Sequence, residues 1–452
     1  MMLEHAARRY RLPAMPACAM RAQADDPATA LALAIEQARL AVTQAQSPDA
    51  ALARQFTDAL ARLIRDAMRP GSGDPALQAM VLRHHAPPVR EYAGLAARAA
   101  QDLRRVLGTV HAIAHPARLR RHGADPLCGA LARLHESASR HAWAELADTA
   151  SALLRTPQAA AQAPLARSLT RLLAGPELQH LLRMDSLGQH EQVRQYRQLW
   201  ARHGPAPGSA GATARGTAGQ RRGAAVEALA EQALETLAMR LDQAGGGAIH
   251  RVVTSLRVPA ALAGRAKRAK TEWDAVVLRQ APGSQPAWDV CLVLEAKASV
   301  DAATTDFPRL LRGLALLALA RPDQVYPFAA RQGTVPLRGA SLAALPTQAH
   351  ALAGTVLYCC DAPADSTPRL LGAASRMQLL SAPASLDYAS TLAQGQPADP
   401  ALLEPVWRDL LASPRWHAVL WQYPTLRQVR ELMVHAADLQ AAAESAQEFT
   451  KN

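Results

Sequence analysis

Five consecutive apolar residues, Val290-Cys291-Leu292-Val293-Leu294, run straight into Glu295-Ala296-Lys297. Such a run has no polar face to show to water, so it fits a strand in the middle of a sheet covered on both sides. Alternate side chains of a strand point to opposite faces, so Glu295 and Lys297 share one face. A covered strand ending in two charged groups on one face requires partners for them there. The plainer alternative is a solvent-facing ion pair, which requires nothing further of the fold.

The neighbouring segments supply a sheet. Residues 248–258 (AIHRVVTSLRV), 271–279 (TEWDAVVLR) and 288–298 (WDVCLVLEAKA) read as strands, with a turn around Gly283-Ser284-Gln285. Asp274 and Glu295 are equidistant from the middle of that turn. A hairpin closing symmetrically there sets the two carboxylates across from each other. Opposed like charges cost roughly 0.2–1 kcal/mol in a cross-strand pair; a divalent cation between them reverses the sign. A helix over 223–243, ended by Gly245-Gly246-Gly247, precedes these strands, and a helix over 306–320 follows. Short strands are expected near 354–360 and 376–382, and helix again over 400–446, opened by Asp399-Pro400.

Residues 26–202 show no strand alternation. Capping residues followed by proline recur at Asp26-Pro27, Ser47-Pro48, Asp74-Pro75 and Asp125-Pro126, and apolar residues such as Leu31, Ile35 and Leu60, Leu63, Ile64 recur at helical spacing. Residues 204–222 (GPAPGSAGATARGTAGQRR) have no apolar period and read as a linker. The expected architecture is an α/β C-terminal domain, a mixed sheet flanked by helices, preceded by an all-α N-terminal domain. Its bounds are an all-helical domain over 1–203, a linker over 204–222, the α/β domain over 223–398, and C-terminal helices over 399–452 packing on it.

Charge and rare residues narrow the function. The chain of 452 residues carries a net charge of +12; residues 1–350 hold 43 basic against 28 acidic residues, residues 351–452 hold 7 against 10. A basic body fits a polyanionic partner, nucleic acid first, and charge alone fits simple solubility in an arginine-rich proteome equally well. Of the 50 basic residues only Lys267, Lys270, Lys297 and Lys451 are lysine. Lysine offers a compact charge with a movable pKa that arginine cannot, so these positions draw attention. Five scattered cysteines (Cys18, Cys128, Cys291, Cys359, Cys360), without CxxC spacing, fit a reducing cytoplasm and exclude a zinc ribbon. No apolar run reaches membrane-spanning length, and the first residues lack the apolar core of a signal peptide. No GxGxxG, GxxxxGK[ST] or GxSxG occurs. His111 and His115 are four apart without the Glu of an HExxH motif and read as ordinary helix residues.

A helix followed by an antiparallel hairpin carrying Asp274 and Glu295-Ala296-Lys297 resembles the PD-(D/E)xK nuclease superfamily, over residues 222–382 only. Trp273 stands where the family's name has proline. The resemblance implies a nuclease-like fold in which Asp274 and Glu295 bind Mg2+ (or Mn2+) and Lys297 positions or helps deprotonate the attacking water. It also implies a further carboxylate from the preceding helix, Glu227, with Glu231 one turn later as a substitute. Arg265, Lys267, Arg268 and Lys270, just before Asp274, and Arg309 and Arg312 after Lys297, become candidate contacts to a phosphate backbone. The expected function is metal-dependent phosphodiester hydrolysis of nucleic acid, in the cytoplasm. The alternative is a non-catalytic scaffold that keeps such a fold and binds nucleic acid, or a protein through the N-terminal helices.

Overall fold

The computed structural model describes residues 6–12, 26–119, 126–205, 209–244, 247–264, 268–283, 286–365 and 368–445. The chain divides into two compact units. One comprises Met1–Ile64, Pro207–Ser385 and Ala398–Asn452; the other comprises Arg65–Ala206 with Leu386–Pro397. Among the described residues no helix is long and apolar enough to cross a membrane.

The second unit is helical throughout its described residues. Val110, Leu134, Leu146, Leu169 and Leu178 form the centre of its core. Asp74 caps helix Pro75–His85 by accepting from the amides of Ala76 and Leu77, and Pro75 occupies the first turn.

The first unit holds the sheet. Its strands are β1 (His250–Arg257), β2 (Glu272–Gln280), β3 (Trp288–Ala296), β4 (Val325–Ala330), β5 (Gly333–Arg338), β6 (Val356–Cys360) and β7 (Met433–His435). β1, β2 and β3 run antiparallel in sequence order, and β6 pairs parallel to the second half of β3. The first residue of β3, Trp288, pairs instead with Leu337 of β5, and Arg257 at the end of β1 pairs with Ala329 of β4. The ring β1-β2-β3-β5-β4 therefore closes on itself, with β6 and β7 extending from it. Sequence reading expected an ordinary mixed sheet and did not anticipate the β4–β5 hairpin. Pro327 and Pro336, paired across it, hide its strand character.

Helices cover both faces. Two precede the sheet, α1 (Pro27–Thr43) and α2 (Ala50–Met68); then come α3 (Ala210–Ala244), α4 (Val300–Leu317), α5 (Gln422–Leu432) and α6 (Ala436–Ser445). Val226, Ala230 and Leu234 of α3 and Leu439 of α6 pack with Ala275, Val277, Leu292 and Leu294. Phe307, Leu310 and Leu314 of α4 and Val429 of α5 pack with Val276, Leu278 and Val293 on the other face. Thus the apolar run of β3 is covered on both sides.

Four expectations are corrected. The segment 204–222 is not a linker throughout: α3 begins at Ala210, where the Ser209 hydroxyl accepts from the amide of Ala212. Alanine and arginine are strong helix formers, and they outweigh the scattered glycines. Residues 1–203 are not one domain. Tyr10 is buried in the sheet unit's core, and Phe56 packs against Trp407 with ring centroids 5.1 Å apart. Residues 376–382 are not a strand: 376–380 belong to helix Ala373–Leu380, whose buried Ser375 and Leu379 are one turn apart. At Ser47-Pro48 the cap is Asp49, which accepts from the amide of Leu52 at 2.7 Å. The Asp125 cap lies outside the described residues.

The reach of α3 is testable. A Cβ added at Gly216, Gly219 or Gly223 meets nothing within 4 Å. Replacing these glycines by alanine is expected to raise stability by about 0.5–1 kcal/mol per site, measured by urea unfolding followed by circular dichroism. Unchanged or lower stability would show that this stretch is not helical in solution.

Candidate active site

Asp274 and Glu295 come together through a register change. On the turn side of the hairpin Leu278 pairs with Val290; continued unchanged, that register would set Asp274 opposite Leu294. The pairing shifts between Val277 and Leu278, with Cys291 as the extra residue, so that Ala275 meets Leu294. The next positions are Asp274 and Glu295. A one-residue bulge thus does what symmetrical closure was expected to do. The turn residues Ser284 and Gln285 lie outside the described residues.

Beyond Ala275 the ladder is irregular. Trp273 belongs to the core on the α4 side, whereas Ala275 belongs to the core on the α3 side. Residues two apart on a regular strand share a face, so the strand rotates at Asp274. In β1 the facing residue, Ser255, has φ +50°, in the left-handed region. A non-glycine residue there costs on the order of 1–2 kcal/mol. The Asp274 carboxylate takes over a backbone role at this point: its Oδ2 accepts from the amide of Ala296 at 2.9 Å.

The Lys297 ammonium is the centre of the arrangement. Its Nζ donates to Glu295 Oε2 at 2.9 Å, to Ala296 O at 3.1 Å and to Asp274 Oδ2 at 3.2 Å. Its own amide donates to Cys359 O at 2.8 Å, which fixes the end of β3 against β6. Asp306 of α4 stands 3.8 Å from the same Nζ, and the Tyr358 hydroxyl donates to Asp306 Oδ2 at 3.4 Å. Glu295 is completely buried, and its Oε1 has no hydrogen-bond partner among the described residues.

Lys270 enters from the segment before β2, and it corrects the reading of this lysine as an outward phosphate contact. Only 8% exposed, it pairs with Glu295 Oε2 and stands 3.8 Å from Asp306. Its amide donates to Arg309 O at 3.1 Å, and it passes so close to α4 that a Cβ on Gly313 would meet Lys270 O at 2.8 Å. Arg268, Arg309 and Arg312 are exposed. Arg312 Nε donates to the main-chain Arg268 O at 3.1 Å, and Arg309 Nη1 stands 3.9 Å from Asp306 Oδ1. Arg265 and Lys267 lie outside the described residues.

Glu227 of α3 borders a pocket of about 260 Å³ together with Asp274, Ser255 and Ala296. Glu231 also borders it but pairs with Arg331 at 3.6 Å. Sequence reasoning missed Asp306 and Tyr358. Asp306 falls on the apolar stripe of α4, Ala303, Phe307, Leu310 and Leu314, and an acid on such a stripe was the available signal.

Electrostatics follow from burial. Three carboxylates and two ammonium groups share one small volume. Burial, then the charge of Asp274, pushes Glu295 up to about 8. Burial also acts to raise Asp274, but Lys297 and Lys270 outweigh it and hold the group below the usual carboxylate range. Burial acts to lower Lys297; Glu295, Asp274 and Asp306 overcome it and hold the ammonium above the usual lysine value. Glu227 is raised, by burial first and Asp274 second.

The donor chemistry fits a hard divalent cation in part. Asp274 Oδ2, Glu295 Oε2 and Ala296 O converge on one cation, which is here an ammonium, and Glu295 Oε1 has a spare lone pair. Mg2+ needs only one or two carboxylates and keeps waters. Against this, among the described residues no group of three or more His, Cys, Asp or Glu side chains is placed to hold a metal ion. No family model, curated protein or solved structure matches this chain.

The raised Glu295 has a stability consequence. A carboxyl whose folded pKa exceeds its unfolded value stabilises fully below the unfolded value, and that contribution is lost as pH rises through the folded one. Between the ordinary carboxyl value and about pH 8, Glu295 therefore lowers stability progressively as pH rises. Glu295→Gln removes this slope. Thermal unfolding in EDTA should show the variant gaining on wild type as pH rises through this window. A constant difference would place the proton elsewhere.

Proposed function

We propose that the sheet unit is a metal-dependent nuclease of the PD-(D/E)xK type, hydrolysing phosphodiester bonds of nucleic acid. The observation that carries this reading is the convergence of Asp274 Oδ2, Glu295 Oε2 and the Ala296 carbonyl on one cationic point at the end of β3, beside an open pocket bordered by Glu227. The element order adds partial support: helix α3, three antiparallel strands and helix α4, then, after the β4–β5 hairpin, β6 parallel to β3.

Asp274 and Glu295 would hold Mg2+ or Mn2+, with Glu227 as the further carboxylate. When bound, the ion would polarise the scissile phosphate and lower the pKa of a bound water. Lys297, kept charged by its carboxylate neighbours, serves as a donor that orients water or phosphate. Lys270 holds Glu295 from the α4 side, and Asp306 balances both ammonium groups. Arg268, Arg309 and Arg312 contact the phosphate backbone from the adjoining surface.

A second reading has its own observation. Lys270 and Lys297 already neutralise the carboxylates from within the chain, as a structural ion cluster would. On that reading the unit binds without cutting.

Incubation with plasmid, linear duplex and single strands, with Mg2+, Mn2+ or EDTA, decides between them. Cutting is expected with a divalent metal and not in EDTA. Lys297→Arg is then expected to fold, to bind nucleic acid, and to cut about 10²–10⁴-fold more slowly, because arginine is larger, planar and does not fit a point between three oxygens. A variant that cuts at the wild-type rate removes Lys297 from the mechanism. Wild type that never cuts leaves the scaffold.

A further inference from the structure

We propose that the helical unit carries its own groove for the phosphate backbone of nucleic acid. It lies between helices Ala99–Ala114, Ala163–Ala174 and Pro176–Gly188, which pack on one another. The open cavity there measures about 570 Å³ and is lined by Arg104, Arg105, Arg171, Thr109, Ser168 and Glu177.

Three features give the groove its chemistry. First, Arg104 and Arg171 are exposed, and their guanidinium groups form no hydrogen bond or ion pair among the described residues. Their guanidinium forks remain available for an acceptor from outside, in a geometry that matches phosphate oxygens. Second, an anion is already held there. Glu177 accepts from its own backbone amide and from Arg105 Nη1 at 2.8 Å, which together lower its pKa. The groove thus accommodates a carboxylate through a main-chain donor and one arginine, and leaves two further arginines unspent. Third, the floor is small: a Cβ added at Gly108 would meet nothing within 4 Å, so a backbone can approach closely.

The surrounding charge selects the partner. Arg65–Ala206 with Leu386–Pro397 contains 19 arginines, no lysine and 12 acidic residues, a net charge of +7. None of the exposed large apolar side chains lines the groove, so nothing there would anchor in a lipid surface. A regular polyanion with fork-shaped acceptors, a nucleic-acid strand, fits better than an acidic protein, whose carboxylates are irregularly spaced.

The test reads binding alone, in EDTA, and so is separate from the catalytic reading: either can fail without the other. The full chain is titrated into a labelled duplex and a labelled single strand over a range of salt, with fluorescence anisotropy as readout. Arg104→Glu with Arg171→Glu is expected to weaken binding at least about tenfold and to reduce the salt slope by about 2, one for each phosphate no longer neutralised. Arg104→Gln with Arg171→Gln should show an intermediate loss and decides the matter if the charge reversal fails to fold. The proposal is overturned by wild type that binds neither nucleic acid. It is equally overturned by a Gln pair that binds with wild-type affinity and slope, or by polyglutamate or anionic vesicles competing as well as nucleic acid.

Discussion

The sheet unit depends on a buried knot of charge at the end of β3. Asp274, Glu295 and Asp306 face Lys270 and Lys297 where water scarcely reaches: Glu295 has no exposed surface at all. Taking such groups out of water costs several kcal/mol per ion, and breaking a buried pair by deleting one partner costs about 3–5 kcal/mol. The knot is therefore a poor source of net stability but a strict condition on geometry. β2, β3, α4, β6 and the segment before β2 each contribute a group, so a shift of any one leaves a charge uncompensated. An apolar cluster of similar size would tolerate such shifts far better.

That condition explains local features with no evident purpose alone. The bulge at Cys291 moves the register by one residue, and without it Asp274 would face a leucine. Ser255 adopts a left-handed conformation opposite the point where β2 rotates, and Asp274 replaces a ladder partner for Ala296. Strain of this sort persists where the surroundings over-determine it, and it gathers at working sites. Gly313 belongs to the same set: any larger residue would push the Lys270 backbone off α4.

Much of this could be read from residues. The apolar run 290–294 announced a covered strand, and Glu295 and Lys297 on one face announced partners. Asp274 was found through its place in the hairpin, although the bulge lay hidden, because an inserted residue leaves no mark in apolar alternation when both faces are buried. The segment 204–222 misled because its glycines were weighed and its alanines were not. The β4–β5 hairpin was missed because paired prolines break the strand pattern. Lys270 reads locally as part of a basic surface run with Arg265, Lys267 and Arg268; nothing local marks it as a cation that turns inward. Only tertiary structure, the approach of α4 at Gly313, does that.

The use of lysine itself supplies the last link. This chain places arginine at 46 of its 50 basic positions. Lys267 and Lys451 fall outside the described residues, and the two lysines within them are both in the knot. At Lys297 an arginine would not keep this geometry. Three oxygens, from Asp274, Glu295 and Ala296, approach the Lys297 ammonium within 3.2 Å, and a planar guanidinium cannot present donors to so compact a set. A chain that otherwise prefers arginine thus turns to lysine where the geometry asks for a point, and the choice records the shape of the site.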